Sequence, residues 1–264
     1  MRIDMHTHTK EGSVDGKVST KETVSRLKEL GFDGMIVTDH NSYNGYRTYK
    51  KNMNDPVFQN FVVLRGIEYD TSDGGHIIVI MPENIYLTIL EIRGLPVKLL
   101  IEIVHMFGGI LGPAHPFGEK YMSIGNSKYY KKHPEILKEF DFMEIYNSCV
   151  TEESNAISRL HASIYSLPGT AGSDSHKIDC VGLAHTDISR DITKESELID
   201  FMIEARHKNV PISASGRLYT GTSRNHLGIM YDIGLRLWNI YSKCSNFHKR
   251  HARSNALASI TSST

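Results

Sequence analysis

Short apolar runs alternate along the chain with segments whose apolar residues recur every three or four positions. The short runs predict strands, and the periodic segments predict helices. The predicted strands are residues 2–8, 34–40, 61–68, 76–82, 109–115, 140–147, 169–176 and 180–188, and the predicted helices are residues 19–30, 97–107, 151–166 and 194–208. Strands that alternate with helices over this length favour an α/β barrel or a doubly wound sheet.

The first two predicted strands flank a helix with clear end signals. Ser19 and Glu22 have the spacing of a capping box, and Gly31 is a suitable stop residue. Because a helix connects the two strands, we expect them to be parallel, with a right-handed crossover.

The connection between the third and fourth predicted strands is different. Only "YDTSDGG" separates residues 61–68 from residues 76–82. This link is too short for a crossover helix, so the sequence predicts an antiparallel hairpin.

Composition and charge exclude several functional classes. The 264 residues contain 30 basic and 30 acidic side chains, so binding to nucleic acid or to an anionic membrane is not indicated. The three cysteines do not suggest a disulfide framework. No apolar stretch is long enough to cross a bilayer, and Asp4 and His6 interrupt the amino terminus before a signal-peptide core can form. We therefore expect a cytoplasmic protein, for which the sequence does not indicate an oligomeric state.

The carboxyl-terminal part of the chain has a different composition. Residues 228–247 have the pattern of an amphipathic helix, and residues 248–264 are first basic and then rich in serine. We therefore expect one domain over residues 1–226, followed by a helix and a disordered tail over residues 227–264.

Histidine and acidic residues gather where the predicted strands end. These residues are His6, His8, Asp15, His40, Glu68, His76, His115, Asp174 and His176. His76 begins a strand, but the hairpin returns from the same edge and so brings it there too. In α/β folds, binding sites form at the carboxyl ends of the strands. These nine residues, which we call the ligand cluster, are therefore expected to meet.

The residue types in the ligand cluster are those of a metal site. Six imidazoles and three carboxylates exceed the capacity of one tetrahedral ion, so two or three divalent ions are expected. Nitrogen and oxygen donors without thiolate suit zinc, manganese, iron or magnesium. A carboxylate such as Glu68 can bridge two ions, and paired ions catalyse the hydrolysis of phosphoesters and of some amides.

Five segments carry a resemblance to a known family. "DMHTHTKEGSVDG", "VTDHN", "GIEY…GGH", "GPAHP" and "GSDSH" resemble, in order, the motifs of the PHP (polymerase and histidinol phosphatase) superfamily of metal-dependent phosphoesterases. The resemblance covers residues 1 to about 190 and is specific because five motifs agree. It implies a distorted (β/α)7 TIM-like barrel with a trinuclear metal site at its carboxyl-terminal rim. Residues 180–221 resemble a small segment that follows the domain in stand-alone members.

The resemblance also implies a division of the ligands among three ions. The first ion would take His6, His8, Glu68 and Asp174; the second would take Glu68, His76 and His115; the third would take Asp15, His40 and His176. The implied activity is the hydrolysis of a small phosphorylated metabolite, such as a nucleotide, a nucleoside bisphosphate or a histidinol-phosphate-like monoester, by a metal-activated hydroxide. The expected catalytic residues are His40, His176 and Asp174, with one of the two histidines protonating the leaving oxygen.

Further polar residues are expected around this site. Lys177 and Arg217 are candidate phosphate-binding cations, and Asp4 and Asp39 are expected to orient imidazoles. Asn147, at the end of a strand, either contacts the substrate or caps the next helix.

Three other functions stay open at this point. The protein is alternatively an exonuclease or phosphodiesterase acting on nucleic acid ends, or a non-catalytic metal-binding module that regulates a partner. It is alternatively an amidohydrolase, since a His-x-His first strand also opens that class. For an amidohydrolase we expect a lysine ligand on a central strand, and the Glu68 position does not offer one.

Overall fold

The computed structural model describes residues 1–119, 122–208 and 210–221. The strands found there are β1 (Arg2–Thr7), β2 (Gly34–Val37), β3 (Val62–Arg65), β4 (Ile67–Asp70), β5 (His76–Ile80), β6 (Ile110–Pro113), β7 (Met143–Asn147), β8 (Gly169–Gly172), β9 (Ala184–Asp187) and β10 (Ser213–Gly216). The α-helices are α1 (Thr20–Glu29), α2 (Asn44–Asn52), α3 (Val97–Met106), α4 (Lys128–Lys132), α5 (Glu152–Tyr165) and α6 (Glu195–Lys208). The sequence predicted no element where α2 lies. In these ranges, no helix is long and apolar enough to cross a membrane.

The chain divides into two compact units. One unit contains Met1–Tyr86 and Arg93–Tyr219, and the other contains Leu87–Ile92 and Thr220–Thr264. In the second unit, Thr88–Glu91 form a 3-10 turn. The helix and tail predicted over residues 227–264 lie outside the described residues.

The first helix begins as its sequence predicts. The Ser19 side chain accepts a hydrogen bond from the Glu22 amide at 3.2 Å, and the Glu22 carboxylate accepts one from the Ser19 amide at 2.8 Å. This confirms the capping box. Strands β1 and β2, which flank the helix, pair in parallel, as predicted.

The strands form three hydrogen-bonded sheets. The orders are β10-β9-β1-β2-β3, β4-β5-β6 and β7-β8. β4 and β5 are antiparallel, which confirms the predicted hairpin. The third predicted strand is split at Gly66, so that β3 joins the first sheet and β4 joins the second. Single parallel bridges, Thr7 to Ser175 and His40 to Glu68, continue the pairing between sheets.

The protein therefore has a mixed α/β fold with parallel strands. Between the described strands, the hydrogen-bonded ladders do not close into a barrel, and the distorted barrel stays a prediction.

Strand β2 is buried on both faces, which is typical of a parallel strand between layers. Ile36 packs in one core cluster with Leu198 of α6. Its neighbours Met35 and Val37 point the other way and pack with Val24 of α1. The end of β2 therefore has packed layers on both sides, which support Asp39 and His40 after it.

Candidate metal centre

The structure brings all nine residues of the ligand cluster together. His6 lies on β1, Glu68 on β4 and His76 at the start of β5. The others lie in the segments that follow β1, β2, β6 and β8. The edge predicted from the strand pattern is therefore the edge where the side chains meet, and their roles as ligands stay predictions.

Glu68 is buried at the middle of the cluster. One carboxylate oxygen, Oε1, lies 3.0 Å from His76 Nδ1 and 3.0 Å from His115 Nε2. The other oxygen, Oε2, lies 3.1 Å from His40 Nδ1 and 3.2 Å from His8 Nε2. The two oxygens thus face two different groups of imidazoles, which is the arrangement of a carboxylate that bridges ions.

Asp174 lies at the buried side of the ligand cluster, next to His6 and His8. Its Oδ1 atom lies 3.2 Å from His8 Nε2 and 3.6 Å from His6 Nε2, and the two imidazole nitrogens are 3.0 Å apart. These three side chains are buried. Together with Glu68, they form a compact set of nitrogen and oxygen donors.

The cluster opens on the side of Asp15. The Oδ2 atom of Asp15 lies 3.2 Å from His176 Nε2 and 3.8 Å from His40 Nε2. The side chains of Asp15, His176 and His40 are 38%, 25% and 22% exposed, whereas that of Glu68 is 1% exposed. The ligand cluster is therefore accessible from this side.

Asp70 is a further candidate ligand that the sequence analysis missed. Its Oδ1 atom lies 3.3 Å from His40 Nδ1 and 3.3 Å from His76 Nε2, and its Oδ2 atom lies 3.3 Å from the Arg93 guanidinium. Residues two apart on a strand share a face. The two-residue spacing between Glu68 and Asp70 therefore indicated that Asp70 faces the ligand cluster.

The sequence analysis also missed Glu144 of β7, which bonds the His6 ring on the side that faces away from the ligand cluster. It accepts hydrogen bonds from His6 Nδ1 at 3.0 Å, the His115 backbone amide at 2.6 Å and the Asn147 amide group at 3.0 Å. A carboxylate that accepts from Nδ1 leaves Nε2 of His6 free to face the cluster. The available signal was an acidic residue inside a strand, because a buried carboxylate needs partners.

Serine side chains orient two more imidazoles. Ser13 Oγ lies 3.1 Å from His8 Nδ1 and donates to Asp39 at 3.0 Å. Asp39 therefore acts on His8 through Ser13. Ser123 Oγ lies 3.3 Å from His115 Nδ1.

Asp4 contacts the backbone and does not orient an imidazole. Its Oδ1 atom accepts from the backbone amides of His6 at 3.3 Å and Ser173 at 2.9 Å. Burial raises the pKa of Asp4 to about 7, although the bonds from Ser173 and His6 oppose the shift. Asp4 thus ties the first strand to the segment that carries Asp174.

Asn147 does not cap the following helix. Thr151 is the N-cap of α5, and its side chain accepts from the Ser154 amide at 3.2 Å, so the capping interpretation is wrong. The Asn147 amide group instead donates to Glu144 at 3.0 Å and to Asp174 at 3.2 Å. Asn147 therefore positions two acidic residues of the site, and its contact with substrate stays a prediction.

The two predicted phosphate-binding cations lie in different places. Lys177 is half-buried and directly follows His176. Arg217 is exposed and lines a surface groove with Arg2, Phe32 and His185, none of which belongs to the ligand cluster.

The carboxylates control the charge of the imidazoles. Burial lowers the pKa of His40, but Glu68, Asp70 and Asp15 outweigh it and raise the pKa to about 10. Burial likewise opposes the rise of the His176 pKa to about 9, which Asp15 and Asp174 cause. The carboxylates of the ligand cluster therefore stabilise positive charge there, whether protons or metal ions carry it.

The donor atoms fit divalent metal ions. Four groups have ligand atoms that all lie within 4.8 Å of one another: His6–His8–Glu68, Glu68–His76–His115, His8–His40–His176 and His40–Asp70–His76. Four of the buried atoms, Asp15 Oδ1, Asp70 Oδ1, His40 Nδ1 and His76 Nδ1, make no hydrogen bond to any described residue. The two histidine nitrogens lie 3.0–3.1 Å from Glu68 oxygens but are not aligned with them for a hydrogen bond. Buried polar atoms are seldom left in this way without a ligand to satisfy them.

Backbone geometry supports the same interpretation. His115 and Asp174 have φ angles of 30° and 51°, in a region that residues other than glycine seldom adopt. Such conformations cluster at functional sites, where the surrounding structure maintains them.

Comparison with known proteins identifies the family. A sequence model of the PHP domain matches residues 4–176, and one of a PHP-associated segment matches residues 152–206. No curated protein matches the chain.

Solved structures share the fold at low identity. PsfC from Pseudomonas syringae PB-5123 is 16% identical, with a TM-score of 0.59 over 90% of this chain and 98% of that one. A protein from Bifidobacterium adolescentis described as a metal-dependent phosphoesterase is 14% identical, with a TM-score of 0.56 over 77% and 96%. An amidohydrolase from Chromobacterium violaceum, solved with sulfate and without metal, is 14% identical, with a TM-score of 0.54 over 76% and 96%. Because the PHP domain match covers residues 4–176 of the 264, the chain belongs to the PHP domain family.

Proposed function

We propose that the protein is a metal-dependent phosphoesterase that hydrolyses a small phosphorylated metabolite. Candidate substrates are a nucleotide, a nucleoside bisphosphate and a histidinol-phosphate-like monoester. The observation that carries the proposal is the position of Glu68, whose two oxygens face different pairs of imidazoles at 3.0–3.2 Å. Family membership and the description of the Bifidobacterium relative support it.

The proposed ligand sets are those that the resemblance to the PHP family implies. His6, His8, Glu68 and Asp174 form the first set; Glu68, His76 and His115 form the second; Asp15, His40 and His176 form the third. Asp70 lies between His40 and His76, and so adds a ligand to the second or the third set. We also propose that the three sheets are parts of one distorted barrel around this site.

Divalent zinc, manganese, iron or magnesium ions bound there would lower the pKa of water and neutralise phosphate charge. The protein residues provide position and protons. Glu144 and Ser13 hold His6 and His8 with Nε2 facing inward. This fixed geometry matters because positioning and charge stabilisation supply most of the catalysis of phosphoryl transfer.

His40 and His176 are the proposed proton donors to the leaving oxygen, in states in which the donating histidine does not hold the third ion. They lie with Asp15 on the open side of the cluster, whereas His6 and His8 are fully buried. A general acid has to come within hydrogen-bonding distance of the leaving group, and only the open side allows this. Lys177, next to His176, is the better placed of the two proposed phosphate-binding cations.

The direct test is phosphate release by the purified protein loaded with manganese or with zinc. We expect release from at least one phosphomonoester, two or three bound ions per chain, and loss of activity in Glu68→Gln. A matched control is Glu195→Gln, because Glu195 is also a buried acceptor but bonds the Arg65 amide. A metal-loaded protein that releases no phosphate from any monoester would contradict the proposal.

Two further arms of the assay separate the alternatives. Single-stranded oligonucleotides that are degraded faster than any monoester would indicate a nuclease. Cyclic amides are the second set of test substrates, because the chain is similar to the amidohydrolase from Chromobacterium violaceum. Their turnover would indicate an amidohydrolase. Bound metal without any turnover would favour a regulatory module.

A further inference from the structure

Helix α5 packs with its polar side inward and its apolar side outward. Its buried residues are Ser154, Asn155, Ser158 and Ala162. Ile157, Leu160 and Ile164 are 42%, 59% and 61% exposed. Residues three and four apart lie on the same helix face, so these three side chains form one continuous apolar surface, the α5 stripe.

Hydrogen bonds explain why the polar side faces inward. The Asn155 side chain accepts from the backbone amide of Asn147 at 2.9 Å and donates to the backbone carbonyl of Asn147 at 3.1 Å. Ser158 donates to the Ser154 carbonyl at 2.9 Å, so its hydroxyl is satisfied inside the helix. Because these bonds fix the helix rotation against β7, the α5 stripe cannot turn inward to bury itself.

The exposure of the α5 stripe is unusual for its arrangement. Single exposed apolar side chains are normal on a protein surface. Three large aliphatic residues in a row on one helix are typical of an interaction site. Their spacing is that of a helix seam that packs against another helix.

The two ends of the α5 stripe carry opposite charge. Glu152 and Glu153 lie in the first turn of α5, and the Glu152 carboxylate pairs with the Arg159 guanidinium of the same helix, so Glu153 provides the acidic charge at this end. At the other end, the Tyr165 hydroxyl donates to the Pro134 carbonyl at 3.5 Å, and the His161 ring stands edge-on to Tyr130 of α4 at 6.4 Å. Helix α4 carries the exposed residues Lys131 and Lys132. Glu153 thus lies at the amino-terminal end of the α5 stripe, and the helix that carries Lys131 and Lys132 lies beside its carboxyl-terminal end.

We propose that the α5 stripe binds a second copy of this chain, with the two α5 helices antiparallel about a two-fold axis. Such an arrangement buries Leu160 against the partner subunit's Leu160. It also places Glu153 of each protomer near the partner subunit's Lys132, so that charges of opposite sign meet at both ends. Parallel packing would oppose like charges, which is unfavourable. A surface that complements itself in this way is what a two-fold dimer requires.

Sedimentation velocity of the full chain at increasing concentration tests the proposal. We expect a species of twice the 29.8 kDa chain mass, which Leu160→Glu weakens by about tenfold or more. Ile164→Lys is a second, independent variant on the same surface. Met106→Glu is the control, because Met106 is also an exposed apolar residue at a helix end but lies on α3.

A charge reversal tests the orientation of the two helices. Glu153→Lys should weaken the dimer, and adding Lys132→Glu to it should restore the dimer. A chain that stays monomeric at every concentration, or a dimer that neither stripe variant weakens, overturns the proposal. A double variant that weakens the dimer further overturns the antiparallel arrangement. Metal content and thermal unfolding of each variant show that it is folded, independently of any activity.

Discussion

Replacement of Glu144 by glutamine is the sharpest test of how the site is built. Three donors converge on this carboxylate: His6 Nδ1, the His115 backbone amide and the Asn147 amide group. A glutamine side chain has one accepting oxygen and one donating amide. If the oxygen keeps the His115 amide, the new amide faces His6 Nδ1, which then has to accept. The His6 proton moves to Nε2, the atom that faces the cluster.

The expected loss follows from these contacts. A hydrogen bond to a charged group contributes about 1.5–3 kcal/mol. Residues that orient metal ligands typically change metal affinity by about 10–100-fold. That range corresponds to about 1.4–2.7 kcal/mol, so the two estimates agree. We therefore expect Glu144→Gln to weaken metal binding by about 10–100-fold, although Glu144 belongs to none of the proposed ligand sets.

The assay is competition for zinc or manganese against a chromophoric chelator, with thermal unfolding in parallel. Glu195→Gln is the matched control. It replaces a buried carboxylate that accepts the Arg65 amide at 2.6 Å, so it should lower stability and leave metal affinity unchanged. Equal metal affinity of Glu144→Gln and the unaltered protein, with both folded, would refute the reasoning.

Three further predictions follow from the same contacts. Glu68→Gln should remove at least one bound ion per chain, because both oxygens of Glu68 face imidazoles; elemental analysis that finds the full metal content would contradict this. Metal binding should release protons, because the carboxylates hold the pKa of His40 near 10 and that of His176 near 9, above the ordinary 6.5. Protonation of these two histidines therefore stabilises the metal-free protein fully below pH 6.5, and this contribution is lost as the pH rises through 9 to 10, so metal affinity should increase over that rise. Calorimetry in two buffers of different ionisation enthalpy measures the number of protons released, and identical heats in both buffers would disprove the prediction. Gly172→Ala should displace His6, because a Cβ at position 172 would lie 2.2 Å from the His6 Cβ. We expect weaker metal binding and a lower melting temperature, and unchanged values of both would count against the packing described.

The sequence determined the types of the elements and the residues that gather at one edge. Short apolar runs and the capping box of α1 are local properties, and so most of the strands, the first helix and the hairpin were predicted correctly, whereas β10 was not predicted. The nine residues of the ligand cluster also followed from local pattern. The carboxyl ends of parallel strands share an edge, whatever the details of packing.

Local pattern was not sufficient where a strand changes partner. Residues 61–68 read as one strand, but Gly66 divides them between two sheets. A Cβ at position 66 would lie 2.8 Å from the Ile36 side chain, so the backbones approach closely there. Which sheet each half joins depends on neighbours that are far away in the sequence.

Only the tertiary structure decided which residues hydrogen-bond the proposed metal ligands and which face of α5 is exposed. His6 and its partner Glu144 are 138 residues apart, and no periodicity links them. Asn155 turns α5 by bonding Asn147, against the apolar pattern of the helix itself. Periodicity states which side chains share a face. The hydrogen bonds of buried polar groups, which have to be satisfied by particular distant partners, decide where that face points.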